Sequence, residues 1–268
     1  MVNDNFVDIS KYIPNLVLDV RYNGDYNFVG TKIDGYNAPK VYLTLEACKS
    51  LFKVNEEINK LGYQLKIYDG YRPQSAVEHF IRWAKDIDDI KMKDIFYPDI
   101  DKKDLFIKGY IAEKSSHSRG STVDLTIFDT KNNMDLDMGG YFDYFGQSSS
   151  SDYNDLNSVQ LSNRKLLKDT MEKYGFKHLN EEWWHYTLIN EPYKDTYFNF
   201  GIEWNIVKLK RKKEKNMAKT EQELEQLKKE YQDLCEKLQE LSEEELKEIS
   251  GGTYKKDIGS DKNAKVIF

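Results

Sequence analysis

The sequence predicts an α+β fold: a mainly antiparallel central sheet flanked by helices, with a helical extension at the C-terminus. Three observations predict it. Helical and strand-like hydrophobic patterns are mixed through the first three-quarters of the chain, without the regular strand–helix–strand rhythm of a parallel sheet. Aromatic residues make up 13% of the 268 residues, too many for a disordered chain, and every Trp lies at or before Trp204. Beyond residue 207 the composition turns to Glu, Lys, Gln and Leu, with leucines at heptad spacing.

The elements follow in order. Thr44 is placed to cap a helix whose apolar positions Leu45, Cys48, Leu51, Phe52 and Ile58 fall at helical spacing, and Gly62 sits where a terminating glycine belongs. YQLKIYDG, residues 63–70, reads as a short strand. Pro73 starts a second helix through Ala76, Val77, Phe80, Ile81 and Ala84. Residues 85–104 are charged and read as loop or broken helix. STVDLTIF, 121–128, alternates like a strand; Ser162 is placed to cap a helix through Leu166, Leu167 and Met171 that stops at Gly175; WWHYTLI, 183–189, is β-branched and aromatic, again a strand. These elements form one expected domain, 1–207. KLKRKKEK at 208–215, with six basic residues and one acid, opens an expected basic linker, 208–216. A tail, 217–268, follows. Its Leu224, Leu227, Tyr231, Leu234, Leu238 and Leu241 form an a/d seam, and Gly251-Gly252 ends the helix.

Composition removes several function classes. Forty Lys and Arg against forty-six Asp and Glu leave a net charge of −6, the wrong sign for a general nucleic-acid binder. No apolar run approaches the ~20 residues of a membrane helix. MVNDNFVDISKYIP lacks the basic start and apolar core of a secretory signal. Two cysteines, Cys48 and Cys235, lie far apart and build no disulfide framework, so a reducing, cytoplasmic setting is expected.

Four histidines carry the chemistry to be weighed. His117 lies in SSHSRGSTVDLT, with Asp124 seven residues later and Gly120 allowing a turn between them; His185 lies in EEWWHY, with Glu182 three residues before it. Two His and one carboxylate form a common three-ligand zinc set with a fourth position for water, and a free carboxylate nearby serves as general base. Spacing alone leaves the ordinary readings open: a loop histidine bonded to backbone, a turn carboxylate, a half-buried strand histidine beside two tryptophans. His79 and His178 read as packing or surface residues, and Cys48 as core. Trp183 and Trp184 read as walls of the site that also pack the sheet.

SSHSRGSTVDLT and EWWHY, with DGYRP at 69–73, resemble the VanX-type D-alanyl-D-alanine dipeptidases, which are zinc metallopeptidases. LDVRYNGDYNFVG (18–30), FYPDI (96–100), KGYIAEKSSHSRG (108–120), MGGYFDYF (138–145) and the EPY…YFNF segment (191–200) fit the same family in order, so the resemblance spans roughly residues 6–200. It implies one zinc ion held by His117, Asp124 and His185, with Glu182 as catalytic base and Arg72 stabilising the tetrahedral intermediate. It further implies Tyr22, Ser115 and Asp143 in the substrate pocket, with Asp69 orienting Arg72. Thr122 departs from the family, which usually has Ala there. The implied reaction is hydrolysis of D-Ala-D-Ala to two D-alanines, in cell-wall precursor metabolism or glycopeptide resistance. The alternatives are a D,D-carboxypeptidase on peptidoglycan stems, or a non-catalytic peptide-binding or immunity module. The expected partner is a small dipeptide, with no nucleic acid and no membrane span.

The tail lies outside this pattern. LSEEELKEISGG, 241–252, resembles the double-glycine leader of bacteriocin-type precursors, with Leu238, Leu241, Leu246 and Ile249 as the docking residues and cleavage after Gly252. The tail therefore offers two expected partners: a double-glycine peptidase, or a second copy through the heptad seam.

Overall fold

The computed structural model describes residues 5–107 and 109–203, together with Gln226 and Lys229, both helical. The chain divides into Met1–Ile206 and Val207–Phe268. The basic linker, the heptad seam and the Gly251-Gly252 motif lie outside the described residues.

Five strands form the path of the main sheet: β2 (Val17–Leu18), β4 (Tyr63–Asp69), β5 (Thr122–Asp129), β8 (Glu182–Leu188) and β7 (Phe176–Leu179), in that spatial order. β6 (Met134–Asp135) folds back on the far end of β5. Within this sheet, among the described residues, β2–β4 is the one parallel pair. A separate ribbon joins β1 (Phe6–Asp8) to β3 (Tyr42–Thr44), antiparallel. The expected α+β class with a mainly antiparallel sheet is what forms.

Among the described residues four α-helices accompany the sheet. α1 (Leu45–Lys60) starts where Thr44 Oγ1 accepts the Ala47 N–H, and buries Ala47, Cys48, Leu51, Val54 and Ile58 on one face. Truncating a fully buried Leu51 there costs about 2–5 kcal/mol. α2 (Gln74–Lys85) follows Pro73, whose φ of −59° suits a helix entry, and buries Ala76, Val77, Phe80, Trp83 and Ala84.

The charged stretch 85–104 is more ordered than its composition suggests. It contains the single turn α3 (Lys93–Phe96). Lys102 is buried: its Nζ donates to the carbonyls of Asp86 and Asp89, both at 2.6 Å, and sits 4.1 Å from the Trp83 ring centroid. The loop thus wraps a cation that its own carbonyls solvate.

α4 (Ser158–Lys173) corrects one expectation. It begins four residues before Ser162 and is capped by Asn157, whose side chain accepts from Val159 N and Gln160 N while Gln160 reaches back to Asn157 N. Ser162 is inside the helix, with its hydroxyl donating to the Ser158 carbonyl. The reciprocal box satisfies several helix-end groups together, which outcompetes a lone serine.

Candidate functional site

The site is assembled on one rung of the sheet. Asp124 on β5 stands directly opposite His185 on β8 and directly opposite Asp69 on β4. The Asp69 pairing needs an irregularity, because the register shifts between Ile67 and Asp69. The extra residue re-aims Asp69 onto the face that carries Asp124. A second register shift, on the β7–β8 hairpin, pairs His178 with Tyr186 but Leu179 with Glu182. Residues i and i+3 of a regular strand face opposite sides. The shift instead leaves Glu182 Oε2 3.3 Å from His185 Nδ1.

His117 arrives from outside the sheet, on a 3-10 turn Ser116–Arg119 just ahead of β5. Ser115 Oγ caps that turn by accepting the His117 N–H. Gly120 closes it at φ +85°, a left-handed conformation, and a Cβ there would lie 2.2 Å from the Phe6 ring. The expected bend between His117 and Asp124 is therefore a turn running into a strand.

Three ligand residues converge, two through an imidazole nitrogen and one through its carboxylate. His117 Nε2 is 3.2 Å from Asp124 Oδ2 and 3.2 Å from His185 Nδ1, and His185 Nδ1 is 3.1 Å from Asp124 Oδ1. All three residues are buried. His117 Nδ1 lies 2.7 Å from the Gly70 carbonyl. A carbonyl only accepts, so that nitrogen carries the hydrogen and Nε2 presents a lone pair to the cluster. Asp124 Oδ1 is buried with no donor well aimed at it, although His185 Nδ1 is close. Lone pairs and a carboxylate meeting at about 3 Å repel unless a cation sits among them. Ligands bonded tetrahedrally at ~2.0–2.1 Å lie about 3.3–3.4 Å apart. With one atom taken from each residue, the three lie within 4.8 Å of one another, close enough to share a small divalent metal.

Charge follows the same logic. Burial disfavours the ionised Asp124, but His117 and His185 outweigh it and hold its carboxyl well below the usual range. Burial pulls the His185 imidazole down, yet the Asp124 and Glu182 carboxylates close beside it push it up to about 9. Without a metal, the cluster keeps a proton as its cation.

Arg72 sits beside it, half-buried between two carboxylates and two rings. Its Nε donates to Asp69 Oδ2 at 2.9 Å, its Nη2 is 3.5 Å from Asp124 Oδ2, and its guanidinium lies 5.0 and 5.4 Å from the Tyr22 and Phe80 ring centroids. Asp69 is held in turn by the Tyr36 hydroxyl at 2.7 Å. Burial raises the Asp69 carboxyl, partly offset by Arg72 and His117. Tyr22 OH donates to both oxygens of Asp143, at 3.1 and 2.9 Å. Burial pushes the Asp143 carboxyl well above its ordinary range, against the pull of Arg72.

Tyr22, Arg72, Ser115, His117, Asp124, Asp143, Glu182 and His185 all line one cavity of about 410 Å³, and Asp69 lies behind Arg72. The three expected ligands, the expected base, Arg72 and the expected pocket residues are therefore gathered at one place. Glu181 is exposed and does not line it. His178 reaches the rim, but its two nitrogens are engaged by Glu172 and Asn180. His79, midway along α2, pairs with Asp34 and does not line the cavity. One expectation needs correction: neither Trp183 nor Trp184 lines this cavity. Trp184 packs edge-on against Phe142, and Trp183 lines a separate cavity of about 500 Å³. Sequence reasoning missed Tyr36, Ser116 and the Gly70 carbonyl. Only Ser116, next to His117, had a local signal.

Residues 2–203 match a family model described as D-ala-D-ala dipeptidase. A D-alanyl-D-alanine dipeptidase of Enterococcus faecalis is 38% identical over 201 residues, 75% of this chain and 100% of that protein. One of Streptomyces coelicolor is 39% identical over 195 residues, 71% of this chain and 96% of its own length. Among solved structures, an LD-carboxypeptidase aligns at a TM-score of 0.38 and 17% identity, over 71% of this chain and 70% of its own.

Proposed function

The chain belongs to the D-Ala-D-Ala dipeptidase family, and from that premise we propose that it hydrolyses D-alanyl-D-alanine with one zinc ion held by His117, Asp124 and His185. The observation that carries the metal assignment is the convergence of three buried ligand residues, two imidazole nitrogens 3.2 Å apart with one Asp124 oxygen 3.1–3.2 Å from each, and Glu182 and Arg72 on the same cavity. When bound, the ion supplies a Lewis acid that polarises the scissile carbonyl and acidifies a water.

The remaining chemistry belongs to the side chains. Glu182 takes the proton from the attacking water and returns it to the leaving amine. Arg72 faces the charge that develops on the carbonyl oxygen. Asp69 and the rings of Tyr22 and Phe80 already hold it in place, so it needs no reorganisation as the charge appears. Asp143, steadied by Tyr22, pairs with the free ammonium of the dipeptide, which would restore the charge that burial suppresses. That pairing favours a free dipeptide over a blocked chain. Ser115 Oγ already accepts one N–H, leaving its own hydrogen to donate to substrate. We place the enzyme in the cytoplasm, acting in cell-wall precursor metabolism or glycopeptide resistance. For the tail we propose a double-glycine peptidase or a second copy as partner, on sequence alone. Incubation with such a peptidase and no cut after Gly252 would remove the first.

The test of the main reading is amine release from free D-Ala-D-Ala by purified protein with zinc restored, beside a Glu182→Ala control and an N-acetylated substrate. Turnover of the free dipeptide only, lost in the control, supports it. Equal turnover of the blocked substrate would indicate a carboxypeptidase instead.

A further inference from the structure

Two imidazoles enter the metal cluster, and each has a second nitrogen facing away from it. That of His117 is secured by the Gly70 carbonyl at 2.7 Å. That of His185 meets a side chain: Ser116 Oγ lies 3.2 Å from His185 Nε2. No other hydrogen-bond partner of this nitrogen is found among the described residues. Ser116 is the neighbour of His117 and opens the same 3-10 turn. One short turn therefore carries one ligand and, among the described residues, the side-chain brace at the outer nitrogen of another, which comes from a strand distant in sequence.

We infer that Ser116 is a positioning residue for the metal: it sets the ring rotation and tautomer of His185. The inference rests on the metal reading above. With a cation at Nδ1, the His185 hydrogen must sit on Nε2, where Ser116 Oγ accepts it. That contact fixes the ring plane so that the Nδ1 lone pair points at the position shared with His117 Nε2 and Asp124. Without it the ring turns about its χ2 torsion, which is broad for histidine. Partners of this kind typically contribute 10–100-fold to metal affinity.

Ser116 is only half-buried and makes no other side-chain hydrogen bond among the described residues, so its hydroxyl is removable without leaving an orphaned group elsewhere. The full-length chain, its Ser116→Ala variant and its Ser116→Thr variant would be titrated with zinc in competition with a chelator. The melting temperature of each metal-free protein would be measured alongside. Ser116→Ala should bind zinc about 10–100-fold more weakly with an unchanged metal-free melting temperature. Ser116→Thr, which keeps the hydroxyl, should return most of that affinity. Cobalt substituted for zinc should show altered d–d absorption in the Ala variant and near-parental bands in the Thr variant. A Ser116→Ala affinity within twofold of the parent overturns the inference. A parent protein that takes up no zinc overturns the metal reading itself, and is distinguished by that result.

Discussion

Asp124 and His185 stand directly opposite one another on neighbouring antiparallel strands, with Oδ1 and Nδ1 3.1 Å apart. Direct cross-strand partners have Cβ atoms about 4.5–5.5 Å apart. Two short chelating side chains on one rung thus reach a common point without help from loops. The sheet sets the spacing of two ligands, and a capped 3-10 turn brings the third.

Glu182 reaches the cavity but is the most exposed acid of the site, and it belongs to no ligand triangle. Glu182→Gln should lower kcat by about 10²–10⁴ while zinc affinity stays within a few-fold. Steady-state amine release together with chelator competition checks both halves. A variant that loses zinc along with activity would make Glu182 a ligand.

Asp143 should trade stability for recognition. Its carboxyl is raised in the folded protein, chiefly by burial, so the folded state holds the proton more tightly than the unfolded chain. Stability from this group is complete below the ordinary carboxylate value of about 3.9 and drains away as pH rises through the raised folded value. Asn does not titrate and tolerates the left-handed φ of 61° found here. Metal-free Asp143→Asn should therefore melt higher than the parent at pH 8, with a smaller gap at pH 5. Its kcat/KM for the free dipeptide should fall, and its preference over the N-acetylated substrate should shrink. Retained preference would sink the ammonium role.

Zinc uptake should be coupled to proton release. His185 is pushed up to about 9 in the metal-free cluster, so below that pH the metal must displace its proton. Apparent affinity should weaken by about tenfold for each pH unit below about 9. Chelator competition between about pH 6 and pH 8 measures the slope. A flat profile would show that no ligand proton is lost.

Gly120 should be intolerant of any side chain. Its φ of +85° alone costs a non-glycine residue about 1–2 kcal/mol, and the added Cβ collides with Phe6. Phe6 has little room to yield, since Tyr71, Phe198 and Phe200 surround it at centroid distances of 5.0–5.1 Å. Gly120→Ala should lower the melting temperature by at least several degrees and displace His117 from the cluster. A melting curve and a zinc titration would test the two effects separately.

Much of this protein was legible in its sequence alone. Capping residues and hydrophobic spacing place α1, α2, β4, β5 and β8 to within a residue or two, because those signals are local. The same patterns miss β1, β2, β3, β6 and β7, which run two to four residues, too short for any period to register. The order of chemistry-bearing residues along the chain is likewise local information, and it named His117, Asp124, Glu182 and His185 together. Tertiary structure alone decided that they meet. Their convergence depends on which strands pair, and on two register shifts that turn Asp69 and Glu182 onto the active face. It also decided that Tyr36 braces Asp69 and that Ser116 faces His185. A register shift is the outcome of packing between strands far apart in sequence, so no window of neighbouring residues encodes it.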